Sequence, residues 1–194
     1  MIPGVEISKI TEALKAGGVI AFPTDTVWGV GCLVENPEAV RKIYRMKGRD
    51  FDKPLILLGS SLEFLLPYVE TIPVKAKELA KKHFPGALTL ALKKSDKTPD
   101  YITSRFDTVG IRIPDHPVFR ELLERTYKVL ATTSANLSGE GSFSSRREVE
   151  QSIGCEVDYI LDDYGVSAGG MESTVVKIDK DNTIKVLRQG AVNL

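Results

Sequence analysis

Several common signals of catalytic and nucleotide-binding sites are missing from this chain of 194 residues. It contains no GxxxxGK[ST] phosphate-binding loop, no GxGxxG turn after a strand and no GxSxG nucleophile turn. These absences exclude a nucleotide held in a P-loop or a Rossmann turn, and they exclude the hydrolase arrangement of a serine nucleophile. Only two histidines are present, so neither a covalent nucleophile nor a His/Cys metal site is indicated.

Cysteines and long apolar runs are also scarce. The two cysteines, Cys32 and Cys155, are far apart and outside any metal-binding motif, which argues against a disulfide scaffold and favours a reducing compartment. The start MIPGVEISKI does not have the basic and then apolar pattern of a signal peptide. Runs such as LILL are too short to cross a bilayer. We therefore expect a cytoplasmic protein that makes no use of a membrane.

The overall charge favours no class of charged partner. Lys plus Arg and Asp plus Glu each total 26, so the formal net charge is zero, and any binding of nucleic acid would need a local basic patch. Hydrophobic residues make up 42% of the chain, enough for a substantial core. We expect one domain spanning residues 1–194.

Strand-like and helix-like segments alternate along the chain. Apolar runs such as VIAF, LILL, ALTLALK, TVGIRI, VLAT and STVVKI predict buried strands, and amphipathic segments lie between them. The turn DKDNT predicts a hairpin that joins the last two strands. This alternation predicts an α/β fold, and the closing hairpin predicts a mixed sheet. Four helix starts are predicted, at Asn36 before Pro37, at Ser60 with Glu63, at Asp115 and at Ser145 with Glu148.

A basic stretch, RKIYRMKGRDFDK, occupies residues 41–53. Its first three cations are typical of a solvated helix face near the helix C-terminus. Lys47 and Arg49 differ because Gly48 separates them beyond the predicted helix end, just before a buried strand. Such a turn places two cations where they can reach one polyphosphate.

Short polar side chains dominate residues 129–145, VLATTSANLSGEGSFSS. Two interpretations are open for the part after the strand. It is either a solvated loop or a surface that holds a polyanionic ligand through hydroxyl, amide and backbone donors. Within it, Ser138, Ser144 and Ser145 are interpreted as loop and helix-capping residues.

Five ordered blocks of this sequence are similar to one known family. They are PTDTVWGVG (23–31), KGRDFDKPL (47–55), GIRIPDHP (110–117), TSANLSG (133–139) and STVV (173–176). Together they resemble the YrdC-type threonylcarbamoyl-AMP synthases in their short, single-domain form, from about Ile10 to Gly190. The resemblance implies a twisted sheet of mixed parallel and antiparallel strands, flanked by helices, with a concave basic groove.

The resemblance also implies a reaction. Members of that family convert ATP, L-threonine and bicarbonate into threonylcarbamoyl-AMP and pyrophosphate. Threonylcarbamoyl-transferase proteins then use the product to modify adenosine 37 of tRNAs that read ANN codons. A magnesium ion is expected with the ATP, although no ligand motif in this chain marks it.

Site residues follow from the resemblance, position by position. Lys47 and Arg49 are implied as catalytic residues that stabilise charge on the phosphates. The implied ATP contacts are Lys47, Arg49, Lys53, Thr108, Ser134, Asn136, Ser142 and Arg188. The implied threonine contacts are Thr26, Arg112, Thr132 and Ser173. Arg112 suits a bidentate contact with the amino-acid carboxylate.

Structural roles remain open for several of these positions. Thr24–Thr26 is also typical of a strand-to-loop turn, and Thr108 and Ser173 are also typical of ordinary strand residues. Arg188 is equally suited to a surface salt bridge. Trp28 either lines the pocket or only packs in the core, since tyrosine is usual at this family position.

The sequence differs from the family pattern at one pocket position, and two alternative functions remain open. Many members carry a histidine in the threonine pocket where this chain has Leu58. The first rival is a non-catalytic module that binds tRNA or double-stranded RNA by its shape and phosphates. The second is an enzyme that activates carbamoyl phosphate for hydrogenase maturation, which usually sits within longer chains bearing zinc-finger and acylphosphatase segments.

Overall fold

A computed structural model describes all 194 residues, and nine strands in it form one sheet. The strands are β1 (Ile20–Phe22), β2 (Gly29–Leu33), β3 (Ile56–Leu58), β4 (Leu88–Lys93), β5 (Thr108–Arg112), β6 (Leu130–Ser134), β7 (Tyr159–Ile160), β8 (Thr174–Ile178) and β9 (Ile184–Arg188). Their order across the sheet is β7-β1-β2-β6-β3-β5-β4-β8-β9. Three neighbouring pairs are parallel (β1–β7, β3–β5 and β4–β8), and the other five are antiparallel. The predicted α/β fold with a mixed sheet is confirmed, as is the final hairpin of β8 and β9.

Seven α-helices and one short 3₁₀ helix (Leu66–Tyr68) connect the strands. The helices are α1 (Gly4–Lys15), α2 (Pro37–Lys47), α3 (Leu62–Leu65), α4 (Val74–His83), α5 (Asp100–Thr103), α6 (Pro117–Thr126) and α7 (Arg146–Ser152). None of them combines the length and the apolar character that spanning a membrane would require.

The two faces of the sheet are covered unequally. Helices α2, α4 and α7 pack on one face over the larger core, which contains Val30, Leu57 and Ile111 from central strands. On the other face α1 and α6 enclose a smaller core, in which Phe22 stacks on Phe119 with ring centroids 3.9 Å apart. The rest of this second face has no helix over it. Its open part forms the floor of the cavity described below.

Two of the predicted helix starts form as expected. The Asn36 side chain accepts a hydrogen bond from the backbone N–H of Ala39 at 3.0 Å, with Pro37 in the first turn of α2. At α7 the capping box is complete, because the Ser145 side chain and the Glu148 side chain each bond the other's backbone N–H.

The other two predicted starts were wrong in detail. Helix α3 begins after Ser61, whose side chain makes no capping bond, so the capping box predicted at residues 60–63 does not form. Helix α6 has His116 as its N-cap, not Asp115. The Asp115 carboxylate instead accepts a hydrogen bond from Arg120 at 3.1 Å. In both cases the residue spacing alone does not show where the helix begins.

Removing the capping hydroxyl of α7 tests whether Ser145 caps its helix and Ser60 does not. We expect Ser145→Ala to lower the free energy of unfolding by about 1 kcal/mol, since it deprives an N-terminal backbone N–H of its acceptor. Ser60→Ala is the matched control and should leave stability unchanged, because Ser60 caps nothing. Urea unfolding followed by circular dichroism measures both. Equal stabilities for the two variants would contradict the assignment.

Candidate active site

The open part of the sheet is the floor of a cavity of about 640 Å³, lined by 25 residues. This volume is within the range of about 300–1,000 Å³ typical of small-molecule sites. Gly110 lies between the lining residues Ile56 and Thr89, and a Cβ atom there would come within 2.7 Å of the Ile56 side chain. Ten of the twelve site residues implied by the sequence line this cavity: Thr26, Lys47, Arg49, Lys53, Arg112, Thr132, Ser134, Asn136, Ser173 and Arg188.

Two implied ATP contacts are not among the lining residues. Ser142 lies beside the cavity, and its hydroxyl donates to the lining residue Glu172 at 3.0 Å. Thr108 lies at the far end of β5 from the cavity. It begins β5 and pairs with Lys93, whereas Arg112 ends the same strand at the cavity, about 13 Å away at 3.3 Å per residue. Thr108 lines a separate surface depression, so the structure does not bring it to the other site residues.

Charge in the cavity is strongly unbalanced. Glu172 is the only carboxylate among the 25 lining residues. Against it stand five cations: Lys47, Arg49, Lys53, Arg112 and Arg188. A neutral protein thus carries a local basic groove, as the resemblance implied, and the groove is suited to a polyanionic ligand.

The Lys-Gly-Arg turn is built differently from the sequence prediction. Helix α2 continues through Lys47, and Gly48 ends it in the left-handed conformation with φ of 55°, so the placement of Lys47 beyond the helix was wrong. The Lys47 ammonium is buried and donates to the backbone carbonyls of Ser134 and Asn136. It therefore ties the end of α2 to the loop after β6.

Burial also affects the charge of Lys47. Loss of hydration, together with the nearby positive charge of Arg49, lowers the pKa of Lys47 to about 7. Bound phosphates would favour the charged ammonium and raise this pKa. The free protein then loses a proton as the pH rises above 7, and ligand binding must restore it.

We therefore expect ATP affinity to fall as the pH rises from 7 to 9, approaching about tenfold per pH unit, with one proton taken up on binding. Calorimetric titration in buffers of different ionisation enthalpy measures the affinity and the proton uptake together. Lys53→Met is the control. Lys53 is exposed and pairs with Asp50 at 3.1 Å, so this variant should keep the same dependence of ATP affinity on pH as the wild type. A pH-independent affinity without proton uptake would contradict this role of Lys47.

Arg49 is positioned by its own loop. Its Nη2 donates to the carbonyl of Pro54 at 3.1 Å and its Nε to the carbonyl of Lys53 at 3.3 Å. Because these contacts are with backbone oxygens, they orient the guanidinium and leave its charge unpaired. The remaining N–H groups are available to a ligand.

The Arg112 guanidinium is almost completely buried beneath the cavity. Three of its donors are used, by the carbonyl of Gly86 at 2.9 Å, by Thr26 Oγ1 at 2.8 Å and by Asp25 Oδ1 at 2.5 Å. Thr24 Oγ1 accepts from the backbone N–H groups of Thr26 at 3.1 Å and Val27 at 3.2 Å, so the turn predicted at residues 24–26 does form. Thr24 Oγ1 also lies 2.9 Å from Thr26 Oγ1, so the turn holds the hydroxyl that contacts the arginine. One N–H remains on each terminal nitrogen of Arg112 for a ligand carboxylate.

Arg188 connects two parts of the site. Its Nη1 donates to Glu172 Oε2 at 2.6 Å, and its Nη2 donates to the carbonyl of Ser173 at 2.9 Å. Ser173 Oγ in turn lies 2.9 Å from Thr89 Oγ1 on the cavity floor. The residues implied for ATP and those implied for threonine are thus joined by direct hydrogen bonds.

The sequence analysis did not identify three residues of this network: Asp25, Thr89 and Glu172. Asp25 was visible only as part of a turn, and no local pattern marks Thr89 or Glu172 as facing a cavity. Leu58, at the position of the family histidine, does line the cavity and gives it an apolar wall. Trp28 also lines it, fully buried and with no hydrogen-bond partner for its indole N–H.

Comparison with known proteins assigns this chain to a family. The model of the family Sua5_yciO_yrdC, described as "Telomere recombination", matches residues 12–190. The chain belongs to this family. The resemblance carried by the five sequence blocks is thereby confirmed.

Relatives are similar in sequence and in structure over nearly the whole chain. A threonylcarbamoyl-AMP synthase of Vibrio campbellii is 36% identical over 184 residues, which are 94% of this chain and 97% of the relative. The crystal structure of Pyrococcus abyssi Sua5 complexed with L-threonine superposes with a TM-score of 0.91 at 36% identity, over 98% of this chain and 55% of that one. E. coli YciO superposes with a TM-score of 0.88 at 28% identity, over 100% of this chain and 93% of that one.

Proposed function

We propose that this cavity binds ATP, L-threonine and bicarbonate together and produces threonylcarbamoyl-AMP and pyrophosphate. The class of activity is that of the family relatives: the chain is a threonylcarbamoyl-AMP synthase, a nucleotidyltransferase, with curated synthases that match it over almost their full length. One observation supports the assignment of the reaction to this site. Ten residues from separate parts of the sequence converge on one cavity that holds five cations and one carboxylate.

The triphosphate of ATP is assigned to the cationic side of the cavity. Lys47 and Arg49 stabilise the charge that develops on the phosphates, helped by Lys53 and Arg188. The end of β6 and the loop after it add short donors around the nucleotide, and the small residues there let the backbone come close to it. These donors are contributed by Ser134, Asn136 and Ser142.

L-Threonine is assigned to the side of the cavity formed by Arg112. The two free N–H groups of Arg112 suit its carboxylate, and Asp25 keeps the guanidinium charged and oriented. Thr26, Thr132 and Ser173 supply hydroxyls around it. The P. abyssi Sua5 complex shows that a close structural relative binds this amino acid.

The reaction requires no nucleophile from the protein. The amine of threonine and bicarbonate form an N-carboxy amino acid with loss of water. Its carboxylate oxygen then bonds to the α-phosphorus as the bond from that phosphorus to the pyrophosphate oxygen breaks. The cavity contributes by holding the reactants in line and by stabilising the negative charge.

Magnesium fits this cavity as an ion that enters with the triphosphate. The chain has no cluster of three or more His, Cys, Asp or Glu side chains for a metal ion. Asn136 Oδ1 is buried without a hydrogen-bond partner, so it is an oxygen suited to complete the coordination of a phosphate-bound Mg²⁺. When bound, the ion would neutralise part of the phosphate charge.

The product has a defined use under this proposal. Threonylcarbamoyl-transferase proteins in the cytoplasm would take threonylcarbamoyl-AMP and modify adenosine 37 of tRNA. Direct contact with tRNA is not needed for the synthase step.

Pyrophosphate release by the purified protein tests the proposed function. The assay contains ATP, Mg²⁺, L-threonine and bicarbonate, and each is omitted in turn. We expect release that requires both threonine and bicarbonate, with Thr108→Ala as a control that retains full activity. No release, together with tight and salt-sensitive binding of RNA, would instead favour the non-catalytic RNA-binding module.

A further inference from the structure

The single acidic residue of the cavity already occupies part of the proposed phosphate site. Glu172 Oε2 accepts from Arg188 Nη1 at 2.6 Å, and Glu172 Oε1 accepts from Ser142 Oγ at 3.0 Å. Arg188 and Ser142 are both residues to which the proposed function assigns contact with ATP. In the free protein their donors are therefore directed at a carboxylate of the protein itself.

The backbone of Glu172 is fixed, whereas its side chain is partly free. Its carbonyl accepts from the N–H of Ala191 at 3.0 Å, and Gly190 packs so closely on it that a Cβ at position 190 would lie 2.3 Å from that carbonyl oxygen. The Glu172 side chain is 36% exposed, and Arg188 is its only ion-pair partner. Rotation about its side-chain bonds can therefore withdraw the carboxylate without moving the backbone.

We propose that Glu172 is an internal competitor of the triphosphate. Its carboxylate leaves Arg188 and Ser142 when ATP binds and returns to them when pyrophosphate leaves. This inference rests on the proposed function, because it takes ATP to be the ligand of the cavity. Two anions placed at the same donors repel each other, so ATP must displace the Glu172 carboxylate, and the free-energy cost of that displacement lowers its affinity.

The same competition favours release of the product. Once the α-phosphorus has been transferred, pyrophosphate has lost its covalent link to the adenylate and is held by cationic contacts alone. The returning carboxylate replaces the phosphate oxygens on Arg188 and Ser142, so those donors are not left unpaired as pyrophosphate departs. Glu172 thus keeps the groove from retaining a tightly bound product.

Calorimetry on the neutral variant tests this competition. Affinities of wild type and Glu172→Gln for ATP and for pyrophosphate are measured with and without Mg²⁺. We expect Glu172→Gln to bind both ligands about fivefold more tightly, in the range of a partly exposed ion pair. Glu172→Ala should also bind both more tightly. Glu140→Gln is the matched control, since this exposed carboxylate of the neighbouring loop forms no ion pair, and its affinities should equal those of wild type.

Three other results would contradict either the competition by Glu172 or the proposed function. Weaker ATP binding by Glu172→Gln only when Mg²⁺ is present would make Glu172 a metal ligand and overturn the competition. Unchanged affinities in both variants, with native circular dichroism, would overturn it as well. If the wild type itself does not bind ATP, the proposed function is refuted. If the wild type binds ATP and the variants bind it equally well, only the competition by Glu172 is refuted.

Discussion

Replacing Arg49 by alanine is expected to lower kcat/KM for ATP by about a hundredfold, the scale of losing one preorganised donor to developing charge. The guanidinium is oriented by the carbonyls of Lys53 and Pro54 and has no carboxylate partner, so its charge is directed at the ligand. Initial rates of pyrophosphate release at varied ATP measure the change.

Two further variants make the result specific. Arg45→Ala removes an exposed cation from α2, the helix that ends just before Arg49, and should leave the rate unchanged, because Arg45 does not line the cavity. Arg49→Lys retains the charge without the planar fork and should recover only part of the activity. Activity of Arg49→Ala within threefold of wild type would contradict a catalytic role for this residue.

Asp25→Ala is expected to lower the free energy of unfolding by about 3 kcal/mol or more, because it leaves the buried Arg112 charge without its partner. The two side chains are only 4% and 15% exposed and are 2.5 Å apart, so hydration compensates for little of the lost carboxylate. Asp25 also accepts from the backbone N–H of Asp115, and that bond is lost too. Urea unfolding of the protein without ligands measures the loss.

The neighbouring pair of Asp115 and Arg120 supplies the control. It is a solvent-exposed pair at 3.1 Å, so Asp115→Ala should change stability by no more than about 1 kcal/mol. A similar small effect for Asp25→Ala would show that the Arg112 site tolerates an unpaired charge. The proposed orientation of Arg112 toward the threonine carboxylate would then lose its support.

The sequence predicted the elements of this fold better than their ends. Apolar runs and the β8–β9 turn depend on local chemistry, so most strands and the hairpin could be anticipated. Strand β2 (Gly29–Leu33) was not predicted, because its two glycines interrupt the apolar pattern. Lys47 could not be placed, because its inclusion in α2 depends on where Gly48 turns the chain. Helix ends of this kind are decided by one residue's dihedral angles and not by hydrophobic periodicity.

Site residues were predictable where they lie within the sequence blocks shared with the family. Thr108 and Arg112 show the limit: they are four residues apart on β5 and share a face, yet only one end of that strand reaches the cavity. Glu172 shows a second limit. Its position next to Ser173 gives no sign that its carboxylate meets Arg188, since that contact depends on the pairing of β8 with β9.

The strand order also governs when the proposed nucleotide site can appear during folding. Strand β6 pairs Gly29 with Ser134 on one side and Ile56 with Thr132 on the other, so segments far apart in the chain must meet before the floor of the cavity exists. Contacts between distant segments form slowly, because the entropy of closing the intervening loops is lost first. Partly folded chains that have not docked β6 therefore lack the cavity, and a ligand that binds there stabilises only chains that have completed the sheet.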